Sequence, residues 1–205
     1  MASKVVIDTS RLNKVMKGLS GFEKQIPGAV ISAVNRTLDY VNTKVGRIVT
    51  SEYNIKVKDV RSTIKKNRAT KGRLLAWLKS TGRPLTLSHF RISPSSPPST
   101  AVRFGDGGAL TGKAYKVKAK IKKSSGMKQV KTDPKSFVQM LGGRAQVMHR
   151  TGSKRLPVEV LRTLSVPQMI QALKVSEKIQ EEANKKLAER IDHEINYRLK
   201  KVGAK

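Results

Sequence analysis

From Val30, the apolar residues Val34, Leu38, Val41, Val45 and Ile48 follow at steps of three and four. That spacing returns a side chain to the same face of an α-helix, so these residues form one stripe on a helix of about twenty residues. Pro27 suits the first turn of such a helix, and Asn35, Arg36, Asn42 and Lys44 fall on its other face. A second stripe closes the chain after Pro167: Ile170, Leu173, Ile179, Ala183, Leu187, Ile191, Ile195, Leu199 and Val202, mostly at steps of four. A helix of about 35 residues spans roughly 50 Å. It is expected to lie across a whole sheet or to reach into a neighbour.

Between these helices the period changes. Residues 1–8 read as a short strand or arm. Asp8-Thr9-Ser10 offers caps for a short helix carrying Leu12, Val15, Met16 and Leu19, ended by Gly18 and Gly21. Val60 and Ile64, four apart, predict a basic helix over Val57 to Lys66. Leu74 to Leu78 reads as a strand in preference to a buried helical turn, and the alternation over Leu85 to Phe90 predicts another strand. The loop SPSSPPST (93–100) cannot hold a sheet ladder, and Lys120 to Lys135, rich in Ser, Gly and Lys, reads as a basic linker. Phe137–Leu141 and Arg144–Arg150 flank Gly142-Gly143, and Pro157 puts Leu156–Leu161 at a sheet edge or strand start.

The fold class expected is α+β: a small antiparallel sheet flanked by a helix near the N-terminus and a long C-terminal helix. We read residues 1–205 as a single domain. Its parts are an arm and short helix (1–24), a helix with a basic antiparallel sheet (25–166) and the final helix (167–205).

The net charge is +29. Self-repulsion of that size calls for a negative partner. Nucleic acid is the first expectation, an anionic membrane the second and an acidic protein ring the third. Between Arg61 and Lys154 the only acids are Asp106 and Asp133, whereas the last helix carries six. There is no cysteine, hence no disulfide or thiolate metal site. The apolar run Val5–Ile7 is too short for a secretory leader, and no apolar run approaches the ~20 residues of a membrane span. Assembly in a cytoplasm is expected.

The stretch GDGGALTGKAYK (105–116) tests the enzyme reading. Gly107, four residues, then Gly112-Lys113 matches a phosphate loop, but Ala114 stands where the magnesium-binding hydroxyl belongs. Such a loop opens into a helix. Here the exit alternates: Tyr115, Val117, Ala119 and Ile121 one way, four lysines the other. That is a half-buried strand, and the glycines read as a hairpin-like turn. His89, His149 and His193 are scattered without ligand spacing, and no nucleophile motif is present. Neither a cofactor nor a metal nor an enzyme activity is expected.

The lysine face is then the sharpest electrostatic feature. With neighbouring cations it gives the candidate contact set Lys116, Lys118, Lys120, Lys122, Lys123, Arg144, Arg150, Lys154 and Arg155, aimed at DNA or an acidic partner. Aromatic residues make up 4% of the chain and do not interleave with this strand, so base stacking is disfavoured. Contact with phosphates, without sequence preference and weakened by salt, is what this pattern implies.

Several segments in order carry a resemblance. They are IPGAVISAVNRTLDYVNTKVGR, KVKDVRSTIKKNRATKGR, GRPLTLSHF, FVQML, QVMHRTGSKRLPVEVLRTLSVPQM and the final helix. The most specific pieces are Pro27-Gly28-Ala29 with Ala33, Asn35 and Arg36, and Val147, Met148, Arg150, Leu156, Pro157, Val158, Val160, Val166 and Pro167. Over roughly residues 20–200 the chain resembles the minor tail protein Z family of lambda-type tailed phages. The resemblance implies a structural tail completion protein at the head-proximal end of the tail, acting in tail assembly, head–tail joining and seating of the genome end. It implies a ring, commonly of six copies, beside the tail terminator, tail tube and head connector proteins, with no membrane partner. It supplies no catalytic residues. The alternative expectation is a basic nucleic-acid-binding protein of ribosomal or nucleoid type. A plain interaction subunit matched to an acidic neighbour is a further reading.

Overall fold

The computed structural model describes residues 1–7, 12–97, 103–104, 110–111, 115–152 and 154–203. Contacts divide the chain into two units. The first comprises Met1–Val49, Val57–Gly82 and Val166–Lys205, and the second Thr50–Lys56 with Arg83–Ser165.

The first unit holds β1 (Ala2–Val6), α1 (Leu12–Gly18), α2 (Ile26–Glu52, whose last turn is counted with the second unit), α3 (Val57–Arg61), β2 (Ile64–Asn67), β3 (Trp77–Thr81), α4 (Val166–Gln171) and α5 (Leu173–Gly203). The caps expected at 8–10 lie outside the described residues. The α2 stripe is buried as its spacing predicts from Val30 through Val34, Leu38 and Val41 to Val45, but it ends on Val49, with the expected Ile48 half-buried. Helix α5 runs antiparallel to α2. Arg198 Nη1 donates to Gln25 Oε1, Ser32 Oγ to Glu194, and Tyr40 Oη to Glu182, so one number falls as the other rises. Two glycines permit close approach. A Cβ on Gly18 would lie 2.9 Å from Ile195 Cδ1, and one on Gly28 3.0 Å from Arg198 Nη1.

Strand β3 is central in an antiparallel sheet of order β1-β3-β2. One face of this sheet, with Ser3, Val5, Ile64, Leu78 and Ser80, meets Val45 of α2 and Ile170 of α4. Outside the sheet, Asn35 fixes the loop after β2, donating to the Ala69 carbonyl and accepting from the Ala69 amide.

The second unit holds β4 (Arg91–Ser93), β5 (Arg103–Phe104), β6 (Leu110–Thr111), β7 (Lys118–Lys120), β8 (Lys128–Gln129), β9 (Phe137–Leu141), β10 (Arg144–Arg150) and β11 (Val158–Val160). They form two three-stranded antiparallel sheets, β4-β7-β8 and β11-β10-β9, and the pair β5-β6. Gly142 and Gly143, at φ +58° and +73°, make the two-residue turn between β9 and β10, a conformation that costs glycine little. Leu87, Val117, Ala119, Val138 and Val147 are the buried cluster of this unit. The Val138 amide donates to the Tyr115 hydroxyl at 2.8 Å, tying β9 to the segment before β7.

The mixed α+β class is as expected, with small antiparallel sheets where one was foreseen. Four local expectations need correction. The helix from Val57 stops at Arg61, because the Ser62 and Thr63 hydroxyls bond back to the Asp59 and Val60 carbonyls. Ile64–Asn67 is then free to pair as a strand. Over 85–90 the chain makes a 3₁₀ turn at Leu87–His89, closed by the Phe90 amide on the Leu87 carbonyl, and both Leu87 and Phe90 are buried. The basic stretch 120–135 is no plain linker, since it carries β8, paired with β7.

Finally, the last helix is two. Buried residues step by four from Val175 through Ile179, Ala183, Leu187 and Ile191 to Ile195, but Ile170 lies five before Val175. The stripe changes phase, the chain bends at Ala172, and Leu173 is exposed.

Candidate functional site

Arg103 and Phe104 pair antiparallel with Thr111 and Leu110, on either side of part of the glycine stretch. Gly107, Gly112, Lys113 and Ala114 themselves lie outside the described residues. Beyond them the chain is extended into β7, where a phosphate loop needs a helix.

The alternation that follows is realised in the fold. Val117 and Ala119 are buried, and Tyr115 and Ile121 pack against the same cluster. Lys116, Lys118 and Lys122 are exposed, and Lys120 is half-buried. Among the described residues these four side chains have no carboxylate partner. Lys120 stands directly opposite Arg91 on β4, and like charges abreast on a sheet repel. The Lys122 backbone is pinned by its bridge to Tyr53, and the Lys123 amide donates to the Glu52 carbonyl, which leaves the exposed Lys123 side chain at the end of the row.

The remaining candidates lie on the other sheet. Arg144 begins β10 beside the glycine turn and Arg150 ends it. Six strand steps put them about 20 Å apart. Arg150 is engaged locally: its guanidinium lies 5.1 Å from the Phe137 ring centre and Nη1 donates to the Arg155 carbonyl. Lys154 and Arg155 are exposed in the turn before β11. The nine residues therefore form three groups: the β7 row, the hairpin tip and the β10–β11 end.

Two cations missed in the sequence belong with the first group. A groove of about 280 Å³ is lined by Tyr115, Lys116, Val130, Lys131, Lys135 and neighbours. Reading 120–135 as a linker hid it. The half-buried Val130, whose amide bonds to the Val117 carbonyl, was the available signal.

The charge is distributed differently in the two units. The second has 18 Lys and Arg against four acids, the first 25 against ten. In the first unit, acids are placed against cations. Asp39 takes Arg68 Nη2 on both oxygens and Lys66 Nζ on one, all at 2.9 Å. Partial burial pushes the Asp39 carboxyl up, but those bonds outweigh it and hold it below the usual range. Glu182 is likewise held low, first by the Tyr40 hydroxyl at 2.6 Å and then by Lys44. Glu194, 3% exposed, accepts from Ser32 Oγ at 2.7 Å and lies 3.8 and 3.7 Å from the Nε atoms of Arg36 and Arg198.

Among the described residues no group of three or more His, Asp or Glu is placed to hold a metal ion. No described helix is long and apolar enough to cross a membrane. These features define a basic α+β chain whose prominent surfaces are arrays of cations. The family comparison gives the particular kind. The family described as prophage minor tail protein Z matches residues 11–205, nearly the whole chain. The chain belongs to that family and is a phage minor tail protein. No curated protein and no solved structure matches it.

Proposed function

We propose that this minor tail protein is a tail completion protein that acts at the head-proximal end of the tail, in head–tail joining and positioning of the genome end. It works as a ring of identical copies, six in the form the family resemblance suggests, against the tail terminator, tail tube and head connector. Its β7 row and the adjoining cations face the genome or an acidic ring. One observation carries this reading beyond family membership: the exposed lysines of the β7 row stand over a buried Val117 and Ala119 without carboxylate partners among the described residues. A row without carboxylate partners among the described residues suits a surface completed by another molecule.

The test is location. Electron microscopy of intact particles is expected to show density for this chain between the top of the tail tube and the head connector, with a symmetry that gives the ring number. Its absence from finished particles sinks the structural role. Recovery instead as a monomer bound to cellular RNA at low salt would favour the ribosomal- or nucleoid-type alternative. Changing Lys118, Lys122 and Lys123 to glutamate is expected to spare the fold and reduce infectivity, and normal infectivity removes the proposed role of the row.

A further inference from the structure

The sheet of the first unit carries a second array of cations. In the observed register Lys4 of β1 stands opposite Lys79 of β3, and Lys79 opposite Lys65 of β2. Three lysines thus lie abreast across all three strands. At about 4.8 Å per strand the row spans roughly 10 Å. All three are exposed, on the face turned away from Leu78 and Ser80. Among the described residues none has a carboxylate partner, and the Lys66 beside them, which does, belongs to the other face with Asp39. Cross-strand like charges destabilise a sheet, so this row costs the folded chain something unless an anion spans it.

The same face holds Trp77, the only tryptophan of the chain. It pairs with Val6 on one side and Asn67 on the other. Lys4 Nζ lies 4.5 Å from its ring centre and the Arg73 guanidinium carbon 4.4 Å. A half-exposed aromatic plane is thereby framed by cations on an open sheet.

We infer that this face of the β1-β3-β2 sheet is a nucleic-acid contact site, in which Lys4, Lys65 and Lys79 take successive backbone phosphates and Trp77 with Arg73 packs against the sugar–base part. The occupant comes from outside this chain. The exposed Glu177 and Glu181 of α5 are interspersed with Lys174, Lys178 and Lys185, so among the described residues this helix of a second copy offers no purely acidic face to match. Nucleic acid is favoured over an acidic protein on two grounds. The row is built of lysine, a point charge suited to phosphate, not of the arginine fork that grips carboxylates bidentately. The aromatic plane among the cations fits the stacked, charged character of a polynucleotide. The inference shares with the proposed function only the expectation of a polyanion, and does not depend on where in the tail the protein sits.

Trp77 is a built-in reporter. DNA of arbitrary sequence, added to the full chain at low salt, is expected to change the tryptophan emission saturably, with reversal by salt. Binding is followed in parallel by anisotropy of a labelled duplex and a labelled single strand. The triple variant Lys4→Gln, Lys65→Gln, Lys79→Gln is expected to bind about tenfold more weakly, with a log–log salt slope smaller by about 3. Lys118→Gln with Lys122→Gln and Lys123→Gln is expected to keep the Trp77 response.

DNA binding with unchanged Trp77 emission and an unaffected sheet variant overturns the inference and leaves the β7 row as the DNA surface. No DNA binding by the wild-type chain even at low salt overturns both. Polyglutamate acting on Trp77 as strongly as DNA replaces nucleic acid with an acidic protein as the occupant.

Discussion

The first unit buries many large side chains completely, Ile7, Val15, Leu19, Val30, Leu38, Val45, Met169, Ile179, Leu187 and Ile191 among them. In the second unit the buried cluster has five members among the described residues, and only Val147 in it is wholly shielded from solvent. Acids are divided in the same sense, and those of the first unit are spent on fixed partners such as Lys66, Arg68 and Lys44. The first unit has the means to be stable alone. The second has a smaller buried cluster among the described residues, under lysines without carboxylate partners there, so it is expected to be the less stable of the two.

The largest expected effect probes this contrast directly. Leu38 is fully buried in α2, and Leu38→Ala is expected to cost about 3 kcal/mol in a urea melt followed by helical circular dichroism. Val147→Ala removes less volume from a smaller cluster and is expected to cost about 1.5 kcal/mol, with the helical signal largely intact. If both substitutions shift one common transition equally, the chain unfolds as a single domain in spite of its two sets of contacts.

A middle-sized effect is expected at Glu194. It is the only buried charged residue among those described, between Ser32, Arg36 and Arg198 on the α2–α5 seam. Glu194→Ala strands the Arg198 guanidinium, whose Nε already lacks a hydrogen bond among the described residues. A loss of about 2 kcal/mol is expected. Glu194→Gln keeps an acceptor for Ser32 and is expected to lose about half of that. Equal losses would mean that the charge contributes and the hydrogen bond does not.

The helices were legible because their stripes are long. About five turns of consistent spacing in each leave few alternatives, and Val30–Val49 and Val175–Ile195 pack much as their periods require. The β9–β10 hairpin was legible in its residues, since two apolar runs flank a Gly-Gly pair. Short segments were not. Val60 and Ile64 fit a helix as well as a helix end followed by a strand, and what decides is two hydroxyls, Ser62 and Thr63, competing for carbonyls.

The β7 row was visible because alternation is a local signal. The Lys4–Lys79–Lys65 row was not, because its neighbours lie 75 and 14 residues apart in the chain and meet only through strand register. Trp77 was read as part of a strand, and nothing local says that cations from β1 and the preceding loop converge on it.

The smallest expected effect is acid sensitivity of the first unit. Asp39 and Glu182 both have carboxyls held below their ordinary values in the fold. A carboxyl whose folded value is depressed binds its proton less readily than in the unfolded chain. Its stabilisation is therefore complete above the unfolded value, near 4, and is lost as pH falls through the folded one. Both side chains are more than a third exposed, so solvent screening limits each to under about 1 kcal/mol. The expected result is a modest decline in the helical transition below about pH 4, flattened in Asp39→Asn. High salt is expected to shrink the same decline, since exposed ion pairs are screened. The second unit has four acids, none paired with a lysine of the β7 row among the described residues, and by the same reasoning is expected to contribute little to this slope. A decline that survives both Asp39→Asn and Glu182→Gln would place the acid-sensitive group elsewhere.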